Sequence, residues 1–155
     1  MTIRRAGPGD ATALLALAAA LARTQNDPDD RATIEDLREA WLDQAAPGLA
    51  LIAEREGEAI GYLAMMPSFE SSHGSHGFYV SDLFVTAAHR RRGTASALLA
   101  AAAREALARG RTSLWWVAMP DNEDAHMFYR RHANIEQRTL AFAVLGERLA
   151  EIARR

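Results

Sequence analysis

The sequence predicts a mixed α/β fold built on one central sheet. Three observations carry that expectation. Strand-like and helix-like runs alternate in the order β-α-α-β-β-β-α-β-α-β-α; a Glu-Gly-Glu turn joins two of the strand runs as a hairpin; and SLWWVAM, 113–119, is a continuous apolar run of the kind covered on both faces. At 155 residues the chain suits one domain, 1–155, with a single core.

Taken in order, Ile3 to Ala6 is a short strand, and GPGD breaks it. Asp10 suits the N-cap of a helix running to about Arg23, whose apolar face is supplied by Leu14, Leu15, Leu17 and Leu21. A second helix spans about Thr33 to Gln44 and stops at Ala-Pro-Gly. Three strands follow, Leu49 to Arg55, Ala59 to Met66 and Phe78 to Thr86. The connector PSFESSHGSHG, 67–77, is polar and glycine-punctuated, which predicts a mobile surface loop over the substrate. A helix from about Thr94 to Arg109 is closed by Gly110. After the 113–119 strand, Asp121 or Asn122 starts a helix to about His132, and a last strand, about Glu136 to Leu145, precedes a short C-terminal helix.

Composition narrows the function. The formal net charge is −2, and all 18 basic residues are arginine. With no excess of positive charge and no aromatics interleaved among the arginines, no nucleic-acid partner is expected. The absence of cysteine excludes disulfides, thiolate nucleophiles and cysteine-based zinc sites, and fits a reducing compartment. The apolar run at 13–22 is too short to span a bilayer, so a cytoplasmic protein without membrane contact is expected. His73 and His76 lack a third ligand at workable spacing, so no metal is expected.

The stretch HRRRGTASALL, 89–99, places a strand end, a glycine turn and a helix opening on small residues in succession. The first turn of a helix presents backbone N–H groups and a partial positive charge, a natural anion site. Gly93 and Ala95 allow close backbone approach, Thr94 and Ser96 offer hydroxyls, and Arg90, Arg91 and Arg92 suit phosphate oxygens. Neither the P-loop pattern nor Gly-x-Gly-x-x-Gly is present, which removes nucleoside triphosphate and nicotinamide readings.

With its strand, this stretch, SDLFVTAAHRRRGTASALL, resembles the acetyl-CoA-binding motif of the GNAT superfamily of N-acetyltransferases. Its core Gln/Arg-x-x-Gly-x-Gly/Ala is matched by Arg90, Gly93 and Ala95. DNEDAHMFYRRHA is similar to the family's Asn-x-x-Ala-x-x-Phe-Tyr pattern, at Asn122, Ala125, Phe128 and Tyr129. The chain departs from the family at Ala87, where proline is frequent, and at His132-Ala133-Asn134, where Leu-Gly-Phe is frequent. Within the superfamily, the likeness is to the diamine and the aminoglycoside 3-N-acetyltransferases.

The resemblance implies acetyl-CoA as cosubstrate, admitted where the strands at 78–86 and 113–119 splay. Backbone groups of Leu83, Phe84 and Val85 would take the pantetheine and thioester oxygen, and N–H groups of Arg91 to Ser96 the pyrophosphate. Asn122, Ala125 and Phe128 would complete the cofactor side, and Tyr129 would protonate the departing thiolate. Asp82, an acid in an apolar strand, would bind a cationic amine or accept its proton. The implied partner is a small-molecule amine, and family habit implies a homodimer. A protein lysine or N-terminal acetyltransferase, or an acetyl-CoA-binding module without turnover, are the alternatives.

Overall fold

In the computed structural model, which describes residues 1–154, the chain forms two compact units, Met1–Trp116 and a second from Val117 on. The first holds a five-stranded mixed sheet in the order β1-β2-β3-β4-β5: Thr2–Arg5, Leu49–Arg55, Glu58–Glu70, Ser75–Val85 and Ser113–Trp115. The first four strands are antiparallel neighbours, and β5 joins β4 in parallel, so the mixed α/β class read from the sequence is present.

The β2–β3 hairpin closes over Glu56 and Gly57, both left-handed at φ +54° and +83°, as a two-residue turn between twisted strands requires. Helix α1, Ala11–Thr24, lays Leu14 and Leu17 on the sheet face formed by Ala50, Ile52, Tyr62, Ala64 and Phe84. Helix α3, Thr94–Ala108, buries Leu98, Leu99, Ala102 and Ala106 and packs on β2, β3 and β4. The strand alternation places Leu51, Leu63 and Met65, all buried, on the face opposite Tyr62.

The second helix departs from its expected span. Thr33 and Asp36 form a reciprocal cap, Thr33 N–H onto the Asp36 carboxylate at 2.8 Å and Asp36 N–H onto Thr33 Oγ1 at 3.2 Å, and open one α turn, α2, Ile34–Leu37. A π turn, Arg38–Leu42, follows, with Asp43 N–H donating to Arg38 O at 2.9 Å. A five-residue repeat brings Leu37 and Leu42 to the same side, and both are buried in the α1 cluster.

Three further expectations are corrected. The 67–77 segment is not a mobile loop: β3 continues to Glu70, β4 starts at Ser75, and only four residues, Ser71 to Gly74, turn between them. Backbone ladder bonds are indifferent to polar side chains, and Gly77 serves close approach, since a Cβ there would collide with Ser113 Oγ and lie 2.5 Å from the Ser113 backbone oxygen. The 113–119 run is strand only to Trp115, and Val117 and Met119 are exposed. In the second unit, α4 is Glu123–Arg130 and α5 is Glu147–Ala153, while residues 136–145 form no strand and leave Leu140 and Phe142 exposed.

Candidate active site

Strand β4 is paired on both sides only at its start. Gly77, Phe78 and Tyr79 face Ser113, Leu114 and Trp115 of β5; from Val80 to Val85, β4 has β3 on one edge and, among the described residues, no strand on the other. Because β5 ends at Trp115, β4 has no parallel partner beyond Tyr79, and one edge stays unpaired over Leu83, Phe84 and Val85; alternate residues turn their backbone groups to that edge.

Midway along this stretch the ladder slips. Ala64 faces Asp82 while Met65 faces Val80, so Ser81 is the extra residue of a β-bulge, and its hydroxyl donates to Ala64 O at 3.3 Å. Asp82 shares the α1 face with Phe84 and Tyr62, where the Tyr62 hydroxyl donates to Asp82 Oδ2 at 3.0 Å. Burial pushes the Asp82 carboxyl above its ordinary range, and the Tyr62 hydrogen bond pulls the other way. Burial, reinforced by the Asp82 charge, holds the Tyr62 phenol well above its usual range, so it remains a donor. Tyr62 went unnoticed in the sequence; the hairpin register was the signal that could have found it, because Tyr62 stands diagonal to Asp82 once Ala64 is set opposite.

At its end β4 enters a brace. Arg90 Nε donates to Val85 O at 3.0 Å, and its guanidinium lies 5.9 Å from the Phe84 ring centre. His89, which had no role from sequence, has its Nδ1 3.0 Å from Thr86 Oγ1. Arg91, at φ +58°, and Gly93, at +81°, are left-handed residues flanking Arg92, a backbone alternation of the kind that groups successive amides into an anion-binding nest. The ladder of α3 begins with Ala97 N–H onto Gly93 O at 2.9 Å, so the Thr94 and Ala95 amides precede it. Nothing lies within 4 Å of where a Gly93 Cβ would stand. The Thr94 side chain is a correction: it is buried, with its hydroxyl toward His89 O at 3.5 Å, so it braces the turn and only its amide is available to an anion. Arg91 and Arg92 are exposed, and Ser96 is half-buried.

In the second unit, Asn122 caps α4, its Oδ1 accepting from Ala125 N–H at 3.1 Å, so the Asn-x-x-Ala spacing is that of a helix cap. Phe128 packs edge-on to Tyr129 at 5.3 Å and lies 4.6 Å from the His132 ring. Burial raises the Tyr129 phenol, which keeps its proton at neutral pH. His73 and His76 are both taken up by rings, on Trp115 at 5.9 Å and on Phe69 at 4.6 Å. A separate cavity of about 260 Å³ opens among Ile3, Leu51, Ala101 and Arg104, residues of β1, β2 and α3, and touches none of these groups.

An unpaired strand edge here leads through a glycine turn into a helix N-terminus. Residues 11–133 match the acetyltransferase (GNAT) family model. The chain belongs to that family, and it is an N-acetyltransferase whose acetyl donor is acetyl-CoA. It is 30% identical over 132 residues, 85% of this chain and 88% of the other, to the uncharacterised N-acetyltransferase YhfO of Bacillus subtilis. It is 31% identical over 71 residues to an L-ornithine N5-acetyltransferase of Arabidopsis thaliana, a match covering 46% of this chain and only 31% of that protein. Among solved structures, an aminoglycoside acetyltransferase from an uncultured soil metagenomic sample superposes with a TM-score of 0.78 at 26% identity, over 94% of this chain and 97% of that one. No helix among the described residues is long and apolar enough to cross a membrane.

Proposed function

We propose that the chain transfers acetyl from acetyl-CoA directly to a primary amine of a small cationic molecule, both substrates being bound together, and that residues 1–155 act as one catalytic domain, as a cytoplasmic homodimer. The carrying observation is Asp82: a half-buried carboxylate beside the β4 bulge whose hydrogen-bond partner is a neutral phenol, so its charge is left for a cation. The acceptors of two relatives, an ornithine amine and an aminoglycoside, fit such a site.

The residues fit acetyl-CoA. Amides from Arg91 to Ser96, at the head of α3, receive the pyrophosphate, with the Arg91 and Arg92 side chains beside them. The open edge at Leu83, Phe84 and Val85 hydrogen-bonds the pantetheine and holds the thioester oxygen as negative charge gathers there. Asp82 orients the ammonium and takes its proton, leaving a neutral nitrogen to attack; Tyr129 gives its proton to the sulfur as the carbon–sulfur bond breaks. Asn122, Ala125 and Phe128 fix the helix that presents Tyr129.

The test is thiol release from acetyl-CoA with spermidine, sisomicin, L-ornithine and an alanine-ended peptide as acceptors. Release with one of the small amines and not with the peptide is expected. Release with the peptide alone would move the assignment to a protein acetyltransferase, and tight acetyl-CoA binding with no release on any acceptor would make the chain a binding module.

A further inference from the structure

Asp82 is gripped by a residue that no step of the reaction touches. Tyr62 stands on β3 next but one to Ala64, which faces Asp82, and reaches diagonally across the ladder to Oδ2 at 3.0 Å. Its ring cannot swing: it is 0% exposed and packs 6.5 Å from the Phe84 ring within the apolar cluster under α1. A fully buried phenol tied to a half-buried carboxylate at the edge of an apolar cluster is costly to retain, and an apolar pair of the same size would serve packing at least as well.

We propose that Tyr62 is the positioning residue of the acceptor site, tying one oxygen of Asp82 to the sheet so that the other is presented to the incoming amine. The proposal rests on the reading of Asp82 as the amine's partner. The choice of a phenol is the informative part. An arginine or histidine at this position would pair with the carboxylate and compete with the substrate cation, whereas a neutral donor orients the carboxylate without cancelling its charge. The same hydrogen bond favours the ionised form that burial disfavours. From β3, Tyr62 is the titratable group that faces Asp82; the α1 and α2 residues on this face are apolar, Leu14, Leu17 and Leu37.

Tyr62→Phe removes the donor and keeps the ring. In the variant, the midpoint of the Asp82 Cγ carbon-13 signal moves to higher pH, read on the ligand-free chain. The KM for whichever of spermidine, sisomicin or L-ornithine the parent acetylates fastest rises about tenfold or more at the acid end of the profile, and recovers toward the parent value as pH rises. Acetyl-CoA affinity is unchanged. In an Asp82→Asn background, Tyr62→Phe has no further effect on that KM. An unmoved Asp82 midpoint, or an equal loss with and without the Asp82 carboxylate, overturns the proposal and leaves Tyr62 a packing residue. An unchanged KM in Asp82→Asn alone overturns the reading of Asp82 beneath it, a result distinct from either. If Tyr62→Phe does not fold, 3-fluorotyrosine placed at position 62 supplies a stronger donor at nearly the same size; the Asp82 midpoint then moves to lower pH, and an unmoved midpoint overturns the proposal.

Discussion

The two halves of the site on the first unit are made of different material. The proposed phosphate turn, from Arg90 to Ser96, is a backbone device: left-handed Arg91 and Gly93 shape it, and the one buried side chain there, Thr94, points inward to brace it. The proposed acceptor half is a side-chain device: Tyr62, from inside an apolar cluster, meets the half-buried Asp82 across two strands, and the bulge at Ser81 sets where Asp82 stands. A backbone device tolerates exchange of most of its side chains and fails when something new fills the hollow. A side-chain device fails on replacement of a single atom.

The largest expected effect tests the first half. Gly93→Glu puts a carboxylate in the space that the protein leaves empty and sets it against the pyrophosphate. The residue also keeps a left-handed φ of +81°, which costs a side-chain-bearing residue about 1 kcal/mol of stability. Acetyl-CoA affinity, measured by titration calorimetry, should fall by about a hundredfold or more, while the fold survives. Affinity near that of the parent would place the pyrophosphate elsewhere.

Tyr129→Phe comes next. Removing a general acid lowers turnover by about a hundredfold, with acetyl-CoA affinity retained, because the ring packing against Phe128 is kept. Unchanged turnover would assign the proton to another donor. Asp82→Asn follows, with the KM for the amine raised about tenfold and the cofactor's unchanged. Because burial holds the Asp82 carboxyl above its ordinary range, the parent loses kcat/KM as pH falls through that raised value, when the carboxylate takes a proton and can no longer hold an ammonium. Asp82→Asn should flatten that limb, and an unaltered limb would assign it to another group.

The same contrast explains what could be read from the sequence. A backbone device has a local signature, because the conformations that aim the amides are demanded of adjacent residues; Gly93 and Ala95 carry theirs within three positions. The Tyr62–Asp82 pair spans 20 residues and depends on a register set by the bulge, so nothing local announces it. Element types were legible where periodicity was strong, as in α1, α3, β2 and β4. They failed where tertiary pairing overrode composition: SSHGSH reads as a loop, yet the β3–β4 ladder runs to Glu70 and resumes at Ser75. They also failed at 136–145, where strand-forming residues find no ladder partner among the described residues, and at 116–119, where an apolar run continues past the three pairs that β5 makes with β4.

The smallest expected effect separates the two devices at the residue that borders both. Arg90 occupies the arginine position of the cofactor motif, but its side chain is turned back, Nε onto Val85 O and guanidinium toward Phe84, whose neighbour two residues earlier is Asp82. It braces the strand end, and a hydrogen bond with a cation–π contact of this kind is worth about 1 kcal/mol. Arg90→Ala should therefore weaken acetyl-CoA binding about fivefold, by the same factor at low and at high salt, since a short internal brace is little screened. Arg91→Ala and Arg92→Ala remove exposed charges from the proposed phosphate turn, and their losses should shrink as ionic strength rises. A loss at Arg90 that shrinks with salt in the same way would show its guanidinium on the phosphate, and the boundary between backbone device and side-chain device would then lie one residue nearer the strand.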